Sequence, residues 1–363
     1  MSNTNTPRVM VDPYLEWVQK EGLLVTEDFG VDLFKVETKP WARFGVNGAA
    51  VHLKGRGDFI GMFVLDIPPT ASTSPLQHVY EEVVFVLQGQ GSTTIEVADG
   101  RKHNFEWGAG SMFAIPLNTK YRHFNGSGSE RALLVSTTNM PAVMNMFHSE
   151  KFIFNNYWQF DERIGDSKYF SGEGDFIAVS ADNPVWETNF VPDLRAIELK
   201  PWGARGGGGS TLKFILADSP MHAHTSEMPV GTYKKGHRHG ADLHVMCVTG
   251  HGYSLLWYAG DQDFHRVDWN YGTVFAPPDQ MIHQHFNTSP MPARYLATGY
   301  GSQRYPVTES KRKTMFGGVS TSLKKGGDQI EYEDQSPRIH SLYAEETKKN
   351  GVAVKMPAFS REP

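Results

Sequence analysis

Two short stretches gather imidazoles at a spacing that could do chemistry. GHRHGADLHVMCVTGHG carries His237, His239, His244 and His251, and PPDQMIHQHFN carries His283 and His285. On an extended strand, residues i and i+2 share a face, so His237 and His239 would project together, as would His283 and His285. Imidazoles converging from two strands are a donor set for a transition metal. With three protein ligands, such an ion keeps coordination positions for a substrate. The plainer alternative is a set of unrelated buried histidines, each hydrogen-bonded and inert.

Such a site needs elements that hold it rigidly. The chain of 363 residues alternates short β-branched and aromatic runs (FIGMFVLDI, VVFVLQG, STTIEV, SMFAIP, LHVMCVTG, YSLLWYAG, TVFAP) with turns drawn from 36 glycines and 21 prolines. This pattern predicts an all-β sandwich or barrel. Helix is expected in three places only: near 12–21, in part of a connector near 140–160, and in the charged tail SPRIHSLYAEETKKNG, read as a solvated helix.

The chain also repeats itself. Pro40-Trp41 recurs as Pro201-Trp202, and the glycines Gly89 and Gly91 recur as Gly250 and Gly252, both 161 residues on. GSMFAIP (Gly110 to Pro116) recurs as GTVFAPP (Gly272 to Pro278), and the HFN ending at Asn125 recurs as the HFN ending at Asn287, both 162 residues on. This regular offset predicts a duplicated β-domain. The expected division is an arm at 1–29, a first barrel at 30–140, a connector at 141–189, a second barrel at 190–305 and a tail at 306–363. GGGG at 206–209 reads as a turn, because neither the lysine nor the helix of a phosphate loop follows it.

Gly231, five residues and His237-Arg-His239 resemble the opening half of the cupin pattern, and Gly272, Pro278, His283 and Asn287 resemble the closing half. A glycine of that pattern is here Gln280. The resemblance covers both repeats, so the whole chain resembles a bicupin, two jelly-roll barrels with short flanking helices. HRHGADLHV followed by IHQHFN further resembles the gentisate and salicylate 1,2-dioxygenase branch. That resemblance implies His237, His239 and His283 as ligands of Fe(II), with Mn, Ni or Zn as alternatives, and His285 as a histidine contacting substrate or oxygen. Two departures stand out: the metal-bearing unit is the second rather than the first, and Ile282 replaces a tryptophan.

Cupins often add a glutamate, seven residues before the shared glycine. That position holds Glu82 in the first unit and Leu243 in the second. His244 would be a fourth ligand if the spacer were longer, whereas strand alternation points it out of the barrel. The first unit offers Leu76, His78, Glu82 and Tyr121 at the matching positions, with His123 as the partner of His285. Leucine cannot bind a metal, so the expectation there is a buried hydrogen-bonded network, the alternative being a weak site made by His78, Glu82 and His123.

The expected activity is that of a metal-dependent ring-cleaving dioxygenase, an oxidoreductase that takes a hydroxylated aromatic acid and O2. The alternatives are a bicupin hydrolase, decarboxylase, isomerase or lyase using Mn, Ni or Zn on a small carboxylic acid, or a non-catalytic ligand-binding cupin. His285 is the expected proton handler. Arg205, Tyr233 and Gln280 are the candidates to orient the substrate, with Arg238 and Gln284 behind them. Arg238, between two inward histidines, reads equally as a surface ion pair. Trp257 and Tyr258 would wall the pocket or fill the core, and His222 and His224 repeat the i, i+2 spacing without a closing motif.

A net charge of −5 gives no reason to expect nucleic acid. With 39% hydrophobic and 21% charged residues the chain has a globular balance. No apolar run is long enough to cross a bilayer, and MSNTNTPRVMVDPYLEW does not resemble an export signal. Cys247 is the only cysteine and reads as a small buried hydrophobe in a reducing compartment. A cytoplasmic homodimer or homotetramer is expected, the assembly on the strength of the resemblance.

Overall fold

The apolar runs pair into four sheets. They are seen in a computed structural model, which describes residues 11–180, 183–241, 243–307, 309, 312 and 320–357. The first ten residues of the arm and parts of the tail therefore lie outside the described residues. In the first half, an eight-stranded sheet runs Leu24–Asp28, Val46–Leu53, Gly61–Ile67, Ala132–Thr138, Glu82–Gln88, Met112–Ala114, Phe190–Val191, with Lys39–Trp41 beside Val46–Leu53. Against it packs a three-stranded sheet of Lys120–Asn125, Gln90–Glu96 and Lys102–Gly108. The seam is filled by Phe63, Leu65, Val84 and Val86 from one sheet and Ile95, Phe105 and Trp107 from the other.

The second half repeats the plan. A nine-stranded sheet runs Asp175–Ser180, Asn183–Glu187, Ser210–Ile215, Met221–Met228, Ala293–Tyr300, Leu243–Thr249, Thr273–Phe275, Gly30–Asp32, with Lys200–Pro201 beside Ser210–Ile215. Its three-stranded partner is His265–Asn270, His251–Trp257 and Ile282–Asn287. Each large sheet ends on a strand from the other half: Gly30–Asp32 pairs with Thr273–Phe275, and Phe190–Val191 pairs with Met112–Ala114.

The repeated glycines have a steric cause. Gly89 and Gly250 sit at φ +89° and +76°, in the left-handed region that disfavours a Cβ. A Cβ on Gly91 or Gly252 would lie 2.0 Å from the carbonyl oxygen of Phe124 or Phe286. The turn joining the large sheet to the small one tolerates nothing larger.

The two large sheets pack back to back. Val51, Met62, Val64, Phe85 and Val135 meet Phe214, Met221, Ala223, Met246 and Leu296 in one apolar layer. At this contact Thr137 and Thr298, equivalent residues 161 apart, share a hydrogen bond of 2.8 Å between their hydroxyls. Equivalent positions meeting each other is what an approximate two-fold relation between the barrels produces.

Helices flank the sheets as expected at Pro13–Lys20, where the Asp12 side chain caps the Leu15 N–H, and in the connector at Met140–Phe147, Glu150–Phe154 and Asp161–Ile164. The tail helix Pro337–Lys349 departs from the expectation of a solvated helix. Its Ile339, Tyr343 and Thr347, four residues apart and so on one face, are buried, and the first two cluster with Tyr233 and Phe286 of the second barrel. Among the described residues, no helix is long and apolar enough to cross a membrane.

Candidate metal centre

His237, His239 and His283 come together in the second barrel, one ring nitrogen from each lying within 4.8 Å of the others. His283 enters from the strand Ile282–Asn287. His237 lies beside it as an isolated bridge partner, each N–H donating to the other's carbonyl at 3.0 and 2.8 Å. The three rings are 4.2–5.6 Å apart between centroids. His237 and His283 are buried.

The hydrogen bonds around the triad decide its chemistry. In all three rings Nδ1 faces a backbone carbonyl: Lys235 for His237 at 3.3 Å, Gly240 for His239 at 2.7 Å, and Met281 for His283 at 3.0 Å. A carbonyl oxygen can only accept, so each Nδ1 carries the proton and each Nε2 keeps its lone pair. Burial, together with the positive charge of Arg205 and the neighbouring imidazoles, holds His237 and His283 well below the usual histidine range. A neutral imidazole protonated at Nδ1 can offer Nε2 to a divalent metal, so the residues present fit such an ion.

His285 follows on the same strand, with its ring 5.5 Å from that of His283 and 6.3 Å from that of His237. Its Nδ1 is 2.8 Å from the Ser254 hydroxyl, which accepts from the Trp269 indole N–H at 3.0 Å. Burial, with the charges of His283, Lys234 and Arg205, also keeps its pKa well below the usual range. The first barrel contains the same arrangement: His123 Nδ1 is 2.8 Å from the Thr93 hydroxyl, which accepts from Trp107 at 2.9 Å.

The candidates for orienting a substrate divide. Arg205 is buried near the triad, with Nη1 donating to Gln329 Oε1 at 3.0 Å. Burial lowers its pKa to about 10, against the opposing influence of Tyr295 and Asp328, which leaves it charged at neutral pH. Tyr233 does not face the site. Its hydroxyl accepts from Gln335 at 2.8 Å and contacts His340 at 3.1 Å, and its ring packs on the tail helix, because it pairs with Phe286 on the outer face of the strand. Gln280 is exposed on the turn after Pro278 at φ +57°, where its side chain reaches only Asp279; the turn takes its backbone N–H, which donates to the His239 carbonyl at 3.0 Å. Gln284 is also turned away, donating to the Lys234 carbonyl and to Gln335.

Arg238 pairs with Asp328 at 2.9 Å, the surface ion pair. Trp257 packs into the outer cluster with Tyr233 and Tyr332, and Tyr258 is exposed, so neither walls the triad. Leu243 occupies the glutamate position. His244 is buried on the opposite face of its strand, in register with Thr298 at the contact between barrels, where burial and the charges of Arg56 and His52 lower its pKa to about 3. It is no fourth ligand. Cys247 is buried and its thiol is pushed up to about 12 by desolvation, as a packing residue's would be.

Several neighbours were not legible in the sequence. Lys234 is buried, with its ammonium donating to the Tyr295 hydroxyl at 2.9 Å, and the Tyr295 ring lies 5.3 Å from that of His285. His222 and His224, which the i, i+2 spacing did single out, hydrogen-bond to each other at 2.7 Å, and the His224 ring lies 6.0 Å from that of Tyr295. Gln329, which bridges to His237, comes from the tail.

The first barrel has no triad of this kind. Its buried positions make the expected network: the Tyr121 hydroxyl donates to Glu82 Oε1 at 2.7 Å and lies 2.8 Å from His78 Nε2, while Ser136 donates to Glu82 Oε2. Burial pushes the Glu82 carboxyl up, but hydrogen bonding and charge from His78, with hydrogen bonds from Ser136 and Tyr121, outweigh it and hold the pKa at about 2.

No protein-family model matches the sequence, and no curated protein matches it. Solved structures do. Oxalate decarboxylase from Lactobacillus farciminis, in complex with formate, is 13% identical and superposes with a TM-score of 0.50 over 91% of this chain and 96% of its own. The fold is that of a bicupin. A mutant of Bacillus subtilis oxalate decarboxylase (13% identity, 83% and 87% coverage, TM-score 0.49) and hazelnut vicilin, from Corylus avellana (12%, 75% and 85%, 0.48), also match. The expectation of an oxidoreductase is corrected here. The enzyme that superposes over 96% of its own length is a decarboxylase, and the assignment to a dioxygenase branch, with iron and aromatic breakdown, finds no support in it.

Proposed function

We propose that the second barrel is the centre of a metal-dependent enzyme that transforms a small carboxylic acid without consuming O2, decarboxylation being the reaction that suits the site best. The observation that carries this reading is the gathering of His237, His239 and His283, each with Nδ1 facing a backbone carbonyl and one ring nitrogen of each within 4.8 Å of the others. A divalent ion held there, Mn(II) foremost, would supply Lewis acidity and open positions for a carboxylate. Three neutral ligands leave its charge intact for an anionic substrate.

The surrounding residues support the same reading. Arg205 remains a cation in a buried setting, where an ionic attraction is stronger than in water. It supplies the counter-charge that an acid entering the barrel needs. His285, oriented through Ser254 on the strand that carries His283, is placed to deliver a proton to the carbon that loses CO2.

The test is metal analysis of the purified protein, followed by anaerobic assay of Mn(II)-loaded protein against a panel of small mono- and dicarboxylic acids for released CO2. One metal per chain and turnover without oxygen support the proposal. A metal-free protein, or activity that requires O2 uptake, overturns it.

A further inference from the structure

The segment that carries His237 is held on both edges. On one side it pairs with His283, and on the other the tail runs beside it. There the Arg238 N–H donates to the Asp328 carbonyl at 3.0 Å, and the Ile330 N–H donates to the Gly236 carbonyl at 2.7 Å. Gln329 lies between these two bonds, opposite His237. This strap is itself folded back, with the Gln329 N–H donating to the Thr321 carbonyl at 3.0 Å and the Leu323 N–H to the Gln329 carbonyl at 2.8 Å. Further on, the Tyr332 hydroxyl ties it to the Tyr233 carbonyl at 2.7 Å. Gln329 is thus fixed at its backbone, and it is 1% exposed.

Its side chain is oriented as firmly. The amide Nε2 has two acceptors, Glu331 Oε1 at 3.0 Å and the Ser320 carbonyl at 3.3 Å. That leaves Oε1 for the Arg205 guanidinium, whose Nη1 donates to it at 3.0 Å. The positive charge of Arg205 bears in turn on His237, His283 and His285. An amide oxygen accepts a hydrogen bond without bringing a charge. The carboxylates on either side along the strap have cations of their own, Asp328 with Arg238 and Glu331 with Lys235. The strap residue that steadies the buried guanidinium is therefore a neutral one. A carboxylate in its place would form a buried ion pair with Arg205, and a charge so paired attracts a further anion far less.

We infer that Gln329 is a positioning residue that holds Arg205 in place without neutralising it, so that the tail sets the preference of the second barrel for an anionic ligand. The inference rests on the metal-dependent reading of that barrel and adds what makes the site choose acids. It also gives the tail a part in the site: one segment braces the metal-ligand strand through its main chain and tunes the neighbouring cation through a side chain.

Co(II) is the metal to load, because its visible absorption reports the ligands around it, and formate is the probe anion, with formamide as its uncharged counterpart. Full-length wild type should bind one Co(II) per chain, and formate should shift its spectrum at far lower concentration than formamide. Arg205→Met should weaken formate binding about tenfold, the loss expected for a charge-assisted hydrogen bond. Gln329→Glu should weaken it as much while retaining Co(II). Gln329→Leu, which unties Arg205 but leaves its charge, should weaken it only about threefold. A residue that served packing alone would give the reverse order, since glutamate keeps the shape of glutamine and leucine does not. No formate response in the Co(II)-loaded wild type, an affinity in Gln329→Glu within about twofold of wild type, or a greater loss in Gln329→Leu would each overturn the inference and leave the metal centre standing. If unfolding curves show that Gln329→Glu does not fold, Gln329→Leu decides, and unchanged formate affinity in it would overturn the inference. A wild type that takes up no Co(II) would remove the metal reading and this inference with it.

Discussion

The strand pair that brings His237 beside His283 in the second barrel brings Leu76 beside Tyr121 in the first. From that shared frame the two sites diverge in opposite directions. The second barrel keeps three imidazoles and has Leu243 at the carboxylate position. The first keeps Glu82 and one imidazole of the three. In the first, the polar atoms have closed on one another: Tyr121, His78 and Glu82 meet at 2.7–2.8 Å through hydrogen bonds, with His78 Nε2 3.3 Å from Glu82. In the second, the three rings gather side by side, one nitrogen of each within 4.8 Å of the others. The difference lies in where the protons go. A backbone carbonyl accepts from Nδ1 of each imidazole of the triad, whereas in the first barrel the Nε2 of His78 is itself turned onto the Tyr121 hydroxyl and the Glu82 carboxylate.

The largest effect should come from breaking the triad. His239→Ala should lower bound metal from about one per chain to below about a tenth, and turnover more than about a hundredfold. His78→Ala, at the matching position, should leave metal content unchanged. Elemental analysis of the two variants side by side decides it, and equal metal in both would mean that the ion sits elsewhere.

Next in size is the network of the first barrel. Glu82→Leu, which copies Leu243, strips His78, Tyr121 and Ser136 of their shared acceptor and should cost about 3–5 kcal/mol in denaturant unfolding. The pH dependence follows in sign. The Glu82 carboxyl is held at about 2 in the folded protein, below its unfolded value near 4.5. It therefore contributes stability above about pH 4.5, which is lost as the pH falls towards 2. A depression of this size corresponds to roughly 3 kcal/mol, so the wild type should weaken across that window by more than the variant does. Parallel curves would mean that Glu82 is not ionised in the fold.

A smaller effect sharpens the comparison of His285 with His123. Ser254→Ala and Thr93→Val each leave an indole N–H and an imidazole without their shared hydroxyl, at a cost of about 1–3 kcal/mol. If His285 handles a proton, Ser254→Ala should also lower turnover several-fold and Thr93→Val should not. Equal turnover in the two variants would make the Trp–hydroxyl–His unit architecture in both barrels.

What the sequence disclosed follows from range. Duplication, strand content and the convergence of His237, His239 and His283 were legible because each rests on spacing that a regular strand preserves. Tyr233 faces away from the site because its segment makes only isolated bridges there, and its ring packs against Phe286 and the tail helix. Gln280 was misplaced because the glycine position it fills demands a left-handed backbone, not a side chain in the site. The contacts of Arg205 with Gln329 and of Lys234 with Tyr295 span 124 and 61 residues, and no local pattern announces them. The burial of the tail helix did leave a trace, in the spacing of Ile339, Tyr343 and Thr347. The reaction class was the least legible, since a three-imidazole site is common ground for several chemistries.

The exchange of Gly30–Asp32 and Phe190–Val191 between the two halves has a bearing on how the molecule could be taken apart. A gene cut in the connector would yield two fragments, each ending in a bare sheet margin whose cap had left with its sibling. Such halves would be poor soloists, prone to stick to copies of themselves, but on mixing they could reclaim their lent strands and reassemble as a split protein.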